Sequence, residues 1–166
     1  MRHIISILLQ NEAGALSRVA GMFSSRGYNI ESLTVAPTHE ATVSRLTLVT
    51  TGSDAVIDQI IKQSRKLIDV VEIADLTSRE HLECELVMAK VAVDPVAGRQ
   101  VVECARRHRA QILDETEATR TVQFVGTGAE VNSFLADLGG IARVLELVRS
   151  GTAALERGAD IMAATA

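Results

Sequence analysis

The sequence predicts an α+β protein of two tandem ferredoxin-like units, each a βαββαβ succession of strands and helices. Strand-like and helix-like apolar patterns follow one another in the same order twice along the chain. A polar stretch without periodicity, Thr77 to His81, separates the two runs. Hydrophobic residues make up 47% of the 166 residues, enough to bury a core in each unit. Identity between the halves is slight, so what repeats is the order of elements.

In the first half, Ile4 to Leu9 is a short apolar run ended by Gln10 and Asn11, as in a buried strand. Leu16, Val19, Ala20 and Phe23 then recur at helical spacing, and the helix stops near Arg26 and Gly27. Asn29 to Ala36 alternates like a half-buried strand, ended by Pro37. After a polar turn through His39 and Glu40, Thr42 to Thr50 forms the third strand. Ser53 or Asp54 caps a second helix with Val56, Ile57, Ile60 and Ile61 on one face, and Ile68 to Leu76 closes the unit.

The second half repeats the order. Leu82 to Val93 reads as a strand, and Pro95 opens a helix carrying Val101, Val102 and Ala105. Gln111 to Thr116 and Thr119 to Val125 form a hairpin, Val131, Phe134, Leu135 and Leu138 mark a helix, and Ile141 to Val148 is the closing strand. The expected domains are therefore residues 1–77 and 82–150, with 151–166 a small, polar tail that frays. A single unit of this type puts both helices on one sheet face, leaving the other face and the edges bare. An apolar edge is a pairing surface, so the first unit is expected to form a homodimer.

Composition excludes several functions. The net charge is −4, and the aromatics are Tyr28, Phe23, Phe124 and Phe134, so neither attraction to phosphate backbones nor stacking on bases is well provided for. The run Arg106, Arg107, His108, Arg109 reads as a solvated helix end. Cys84 and Cys104 are too far apart for CxxC chemistry and too few for a disulfide framework, which fits a reducing cytoplasm. The first residues are apolar too briefly for a signal peptide or membrane span, so a soluble, cytosolic protein is expected.

Motifs for bond-making fail in turn. His3, His39, His81 and His108 have no partners at metal-ligand spacing and read as surface or loop residues. Gly126, Thr127 and Gly128 resemble half a dinucleotide fingerprint, but Val131 stands where the third glycine belongs, leaving a tight turn. Ser17 and Ser24 lack a nearby histidine and there is no GxSxG elbow. Glu83 and Glu85 share a strand face, where a carboxylate pair could do acid-base work, but two charges on one face read as solvated.

One loop is different. The first strand runs through Leu9, Gln10, Asn11, Glu12, Ala13 and Gly14 into the helix at Ala15 and Leu16. A helix N-terminus presents unpaired N–H groups and the positive end of a dipole, and Gly14 would let a carboxylate approach that backbone. Asn11 and Asn29 would hold an ammonium group, with Leu9, Ile30 and Val35 lining an aliphatic pocket. The plainer alternative makes Asn11 an N-cap and Gly14 a packing glycine.

The stretch NEAGALSRVAGMFSSRGYNIESLTVAPT, Asn11 to Thr38, resembles the N-terminal ACT domain of the acetolactate (acetohydroxyacid) synthase regulatory subunits. The run RGYNIESLTVAPT carries the specificity, since ACT domains at large share only the short turn and its glycine. The resemblance continues through Leu46 to Leu76, and more loosely through QILDETEAT, TVQFVGTGAEVNSFL and the closing Arg149 to Gly151. His39, Glu40 and the Ala-rich end beyond Gly158 depart from the pattern.

The resemblance implies a non-catalytic small subunit in valine, isoleucine and leucine biosynthesis. It would bind a large catalytic subunit, raise its activity and confer feedback inhibition by valine or another branched-chain amino acid. It implies no cofactor in this chain, with thiamine diphosphate, Mg and FAD belonging to the catalytic subunit. The family's effector site lies between two ACT domains of a homodimer. By position it falls on Asn11, Ala13, Gly14, Ala15 and Leu16 of one chain, with Asn29 and Ile30 of the other. The C-terminal unit would engage the catalytic subunit. Two competing readings are a free-standing amino-acid-sensing ACT protein without an enzyme partner and a metal-binding ferredoxin-like protein, the latter opposed by the scattered His and Cys.

Overall fold

The computed structural model describes residues 1–163. Two compact units emerge, Met1–Leu82 together with the segment from Thr152, and Glu83–Gly151. In the first, the chain runs β1 (Arg2–Gln10), α1 (Ala15–Ser25), β2 (Ser32–Pro37), β3 (Val43–Thr51), α2 (Asp54–Ser64) and β4 (Val70–Asp75). The strands form one antiparallel sheet in the order β2-β3-β1-β4. Period-two alternation sends Ile5, Ile7, Leu9, Leu46, Leu48 and Ile73 to one face, where Val19, Met22 and Phe23 of α1 and Ile57 and Ile60 of α2 close the core.

The second unit repeats this with β5 (His81–Ala92), α3 (Pro95–His108), β6 (Gln111–Glu115), β7 (Thr119–Gly126), α4 (Gly128–Ile141) and β8 (Val144–Arg149), in sheet order β6-β7-β5-β8. Val87, Ala89, Val91, Val122 and Phe124 face Val101, Cys104, Val131, Phe134 and Leu138 of the helices. Pro95 opens α3 behind Asp94, whose carboxylate accepts from the amides of Val96 and Ala97. The α+β, ferredoxin-like class predicted from the order of patterns is what the chain adopts.

Several element ends move inward. The segment from Asn29 enters β2 only at Ser32, and exposed Ile68 precedes β4. Ile141 belongs to the end of α4 and not to the last strand, because α4 runs to its C-cap at Ala142. Leu16, expected on the buried side of α1, is exposed, and Ala15 and Met22 take buried places instead.

The expected fraying tail is the largest departure. Thr152 and Ala154 are buried, and β9 (Ala153–Glu156) begins a strap over the first sheet's other face. Ala154 and Met162 pack with Ile4, Val49, Ala74 and Leu76, so the face predicted to be bare is covered by the chain itself. Arg2 Nη2 donates to Thr152 Oγ1, Thr34 Oγ1 donates to the Thr152 carbonyl, Arg79 pairs with Glu156, and the Ala163 amide reaches Glu72. Residues 164–166 of the predicted tail lie outside the described residues. Ala154→Asp would press a carboxylate against Ile4, Val49 and Leu76, at a cost of about 2–3 kcal/mol. Chemical unfolding of the full chain should show the loss, while Ala154→Gly should cost less than half as much.

Candidate functional site

The loop between β1 and α1 is shaped by Gly14. It is the N-cap of α1 with φ +88°, a left-handed conformation that L side chains rarely adopt, and it supplies no side-chain cap to the first turn. The Ala15 amide is taken by the Glu12 carbonyl and the Arg18 amide by the Gly14 carbonyl. Ala13 and Gly14 are exposed, Ala15 is buried, and Leu16 is 38% exposed beside them. Asn11 does not cap the helix: its Nδ2 donates to the Ala41 carbonyl at 2.8 Å, pinning the loop to the hairpin before β3.

The neighbour that comes close to Gly14 is Arg18, one turn along α1. Glycine is favoured here by its φ, and a Cβ at position 14 would stand 2.7 Å from Arg18 Nη1, so a side chain there would have to displace the end of that guanidinium. Arg18 is gripped by Asp69, with Nε donating to Oδ2 at 2.5 Å and Nη2 to Oδ1 at 2.7 Å. The Asp69 side chain is only 3% exposed against 47% for Arg18, so the carboxylate is a fixed anchor and the guanidinium shows its free side to solvent. Sequence reasoning missed this pair. The signal was an Arg at helical spacing from Gly14, but its partner lies 51 residues away.

The Arg18 guanidinium, through its hydrogen bonds, holds the Asp69 carboxyl below its ordinary value, against the opposing effect of burial. A carboxylate depressed in the folded state stabilises the fold above its unfolded pKa of about 3.9, and that contribution disappears as the pH falls through the folded value. Asp69→Asn should therefore be less stable than the wild type at neutral pH. The two stabilities should converge in acid below about pH 4, as followed by urea unfolding across pH.

The remaining predicted residues lie elsewhere in the same unit. Asn29 is exposed, its carbonyl accepting from Thr50 Oγ1 at 2.5 Å, and Ile30 is half-buried against the core. Asn11 follows Gln10, which pairs with Val43, whereas Asn29 is tied to Thr50 opposite His3. Seven residues of β3 separate these points, about 24 Å at the rise of a strand. The unit therefore holds Asn11–Leu16 together and keeps Asn29 and Ile30 at the other end of its sheet. Leu9 is core and lines no surface pocket, while Val35 is exposed on the edge strand β2.

Other sequence candidates settle into structural roles. Thr127 and Glu130 form a reciprocal capping box, which explains the turn at Gly126 to Gly128. Glu85, read as solvated, is buried and forked by Arg149 at 2.6 and 2.8 Å. His3 and His108, read as surface residues, are respectively buried at the end of β1 and bonded to Asp137 at 2.8 Å, packed on Phe124 and Phe134. Among the described residues no helix is long and apolar enough to cross a membrane, and no group of three or more His, Cys, Asp or Glu is placed to hold a metal ion.

Comparison with known proteins agrees with this architecture along both units. Residues 5–72 match the family described as AHAS small subunit-like ACT domain, and residues 84–158 match the family described as small subunit of acetolactate synthase. The acetolactate synthase isozyme 3 small subunit of Salmonella typhimurium is 46% identical over 162 residues, 98% of this chain and 99% of the relative. A probable acetolactate synthase small subunit of Archaeoglobus fulgidus is 38% identical over 158 residues, 95% of this chain and 98% of that one. The crystal structure of the acetolactate synthase small subunit from Thermotoga maritima superposes with a TM-score of 0.87 at 29% identity, over 96% of this chain and 99% of that one. With an ACT unit, a second ferredoxin-like unit and full-length relatives of one kind, the chain belongs to the family of acetolactate synthase small subunits.

Proposed function

We propose that this chain is a cytoplasmic, non-catalytic regulator of branched-chain amino acid biosynthesis, which activates a thiamine-diphosphate-dependent acetolactate synthase subunit and makes it inhibitable by valine. The effector lies between two ACT units, with Asn11, Ala13, Gly14, Ala15 and Leu16 of one chain meeting Asn29 and Ile30 of a second. The observation that carries this reading is the separation of those two groups by the length of β3, with the edge strand β2 between exposed surfaces. Two copies joined antiparallel along β2 would set the loop end of one sheet beside the Asn29 end of the other. Exposed Leu16, Val35 and Ala36 are the apolar surface such a joint would cover. The second unit, whose edge strand β8 exposes Val144, Leu145, Leu147 and Val148, engages the catalytic subunit.

Adding the chain to its catalytic subunit should raise acetolactate formation from pyruvate and introduce inhibition by valine, while the chain alone turns over nothing. A composite site also has a stoichiometric signature. A chain damaged at Gly14 and another damaged at Asn29, each deficient in valine binding, should regain one working site per mixed dimer on co-folding. No regain, in mixtures shown to exchange subunits, would mean that each site is built within one chain and not shared between two.

A further inference from the structure

We infer that Arg18, held by buried Asp69, is the cationic partner of the effector's carboxylate and sets the requirement for a free carboxylate at this site. The inference rests on the reading that an amino acid binds at the β1–α1 loop, and it adds to that reading a residue from the second turn of α1 and its anchor at the foot of β4. The bidentate grip uses Nε and Nη2 of the guanidinium. Nη1 is left over, and it stands at Gly14, 2.7 Å from where a side chain would begin. Its donors therefore lie beside the uncapped first turn of α1, where the backbone amides after Ala15 are also unclaimed by a side chain.

A guanidinium on a free side chain would swing with solvent, but this one is fixed. Asp69 is buried, its carbonyl accepts from the Gln10 amide at 2.8 Å, and it therefore sits on the same strand end that launches the loop. Charge and geometry combine here. The Arg18–Asp69 pair is net neutral and the Glu12 carboxylate of the same loop also acts on the guanidinium, so the site attracts no anion at long range. At contact, however, Nη1 adds a charged donor beside the uncapped first turn of α1, which favours a carboxylate over a neutral amide. The exposed half of Arg18 makes that donor reachable from solvent or from a second subunit.

The test uses the full chain and calorimetric titration with valine and with valinamide, which keeps the ammonium and side chain but carries no carboxylate. Arg18→Gln alone would strand Asp69 as an unpaired buried carboxylate, so the double variant Arg18→Gln/Asp69→Asn is measured beside it. Wild type should bind valine at least tenfold more tightly than valinamide. In a double variant that keeps its circular dichroism and unfolding midpoint within a few degrees, valine should weaken tenfold or more and valinamide should change little. The preference would then fall towards unity. Equal weakening of both ligands would overturn the inference, because Arg18 would then be only shaping the loop, and so would an unchanged preference. Absence of valine binding to the wild type would overturn instead the reading of the loop as an effector site.

Discussion

Gly14→Asp is expected to abolish valine control while leaving activation in place. The position has φ +88°, so any L side chain is strained, at a cost of about 1–2 kcal/mol. Aspartate is among the residues that tolerate this conformation best, and a carboxylate in the first turn of a helix is favoured by the dipole, so the fold should survive. The new carboxylate stands against Arg18 Nη1 and the uncapped turn, where the effector's own carboxylate is proposed to sit. At an effective dielectric near 20, two like charges roughly 4 Å apart repel by about 4 kcal/mol. Half of that, left after screening and local movement, is about thirtyfold in affinity. Capture of the Arg18 guanidinium adds to the loss by removing the effector's cation. The midpoint of valine inhibition should rise by at least this factor in an assay with the catalytic subunit, with stimulation of the basal rate retained. Inhibition at the wild-type concentration, in a folded and activating variant, would move the site elsewhere.

Phe134→Ala is expected to have the opposite profile. Phe134 is fully buried in the second unit, with ring centroids 5.0 Å from Phe124 and 5.3 Å from His108, and it ties α4 to both β7 and the end of α3. Truncating such a ring removes its transfer energy and leaves a cavity that the sheet cannot close, costing about 3–5 kcal/mol. That is a large part of the stability of a small unit, so at 37 °C the second unit should be substantially unfolded. The first unit has its own core, so valine binding should persist in calorimetry while stimulation of the catalytic subunit is lost. Loss of both together, with the first unit's unfolding transition gone, would show that the two cores are one cooperative system.

Read from sequence, the fold class was fully legible, and the reason is periodicity. The apolar run Ile4 to Leu9 marks a strand buried on both faces, and Val19 and Phe23 or Ile57 and Ile60 at helical spacing mark the buried side of each helix, before any partner is known. Signals that act within a few residues were legible too, such as Pro95 behind Asp94 and the glycine turn opening α4. The loop from Asn11 to Leu16 stood out for the same local reason, a strand ending and a helix starting around a glycine.

Tertiary structure alone decided what depends on residues far apart in the chain. It exposed Leu16 and buried Ala15 and Met22 in its place, because which side of α1 faces the core is set by the sheet beneath it. Asn11 went to the Ala41 carbonyl and not to the helix, because the hairpin before β3 offered an acceptor that no local pattern announces. The strap from Thr152 to Ala163 reads as polar and small, yet it lies on Ile4, Val49 and Leu76, an apolar face that needs cover from whatever chain can reach it. Arg18 and Asp69, 51 residues apart, became one fixed group only because β1 and β4 are neighbours in the sheet. Periodicity and caps are short-range properties written in each segment, whereas the partner of a polar side chain is chosen by the packing that brings distant segments together.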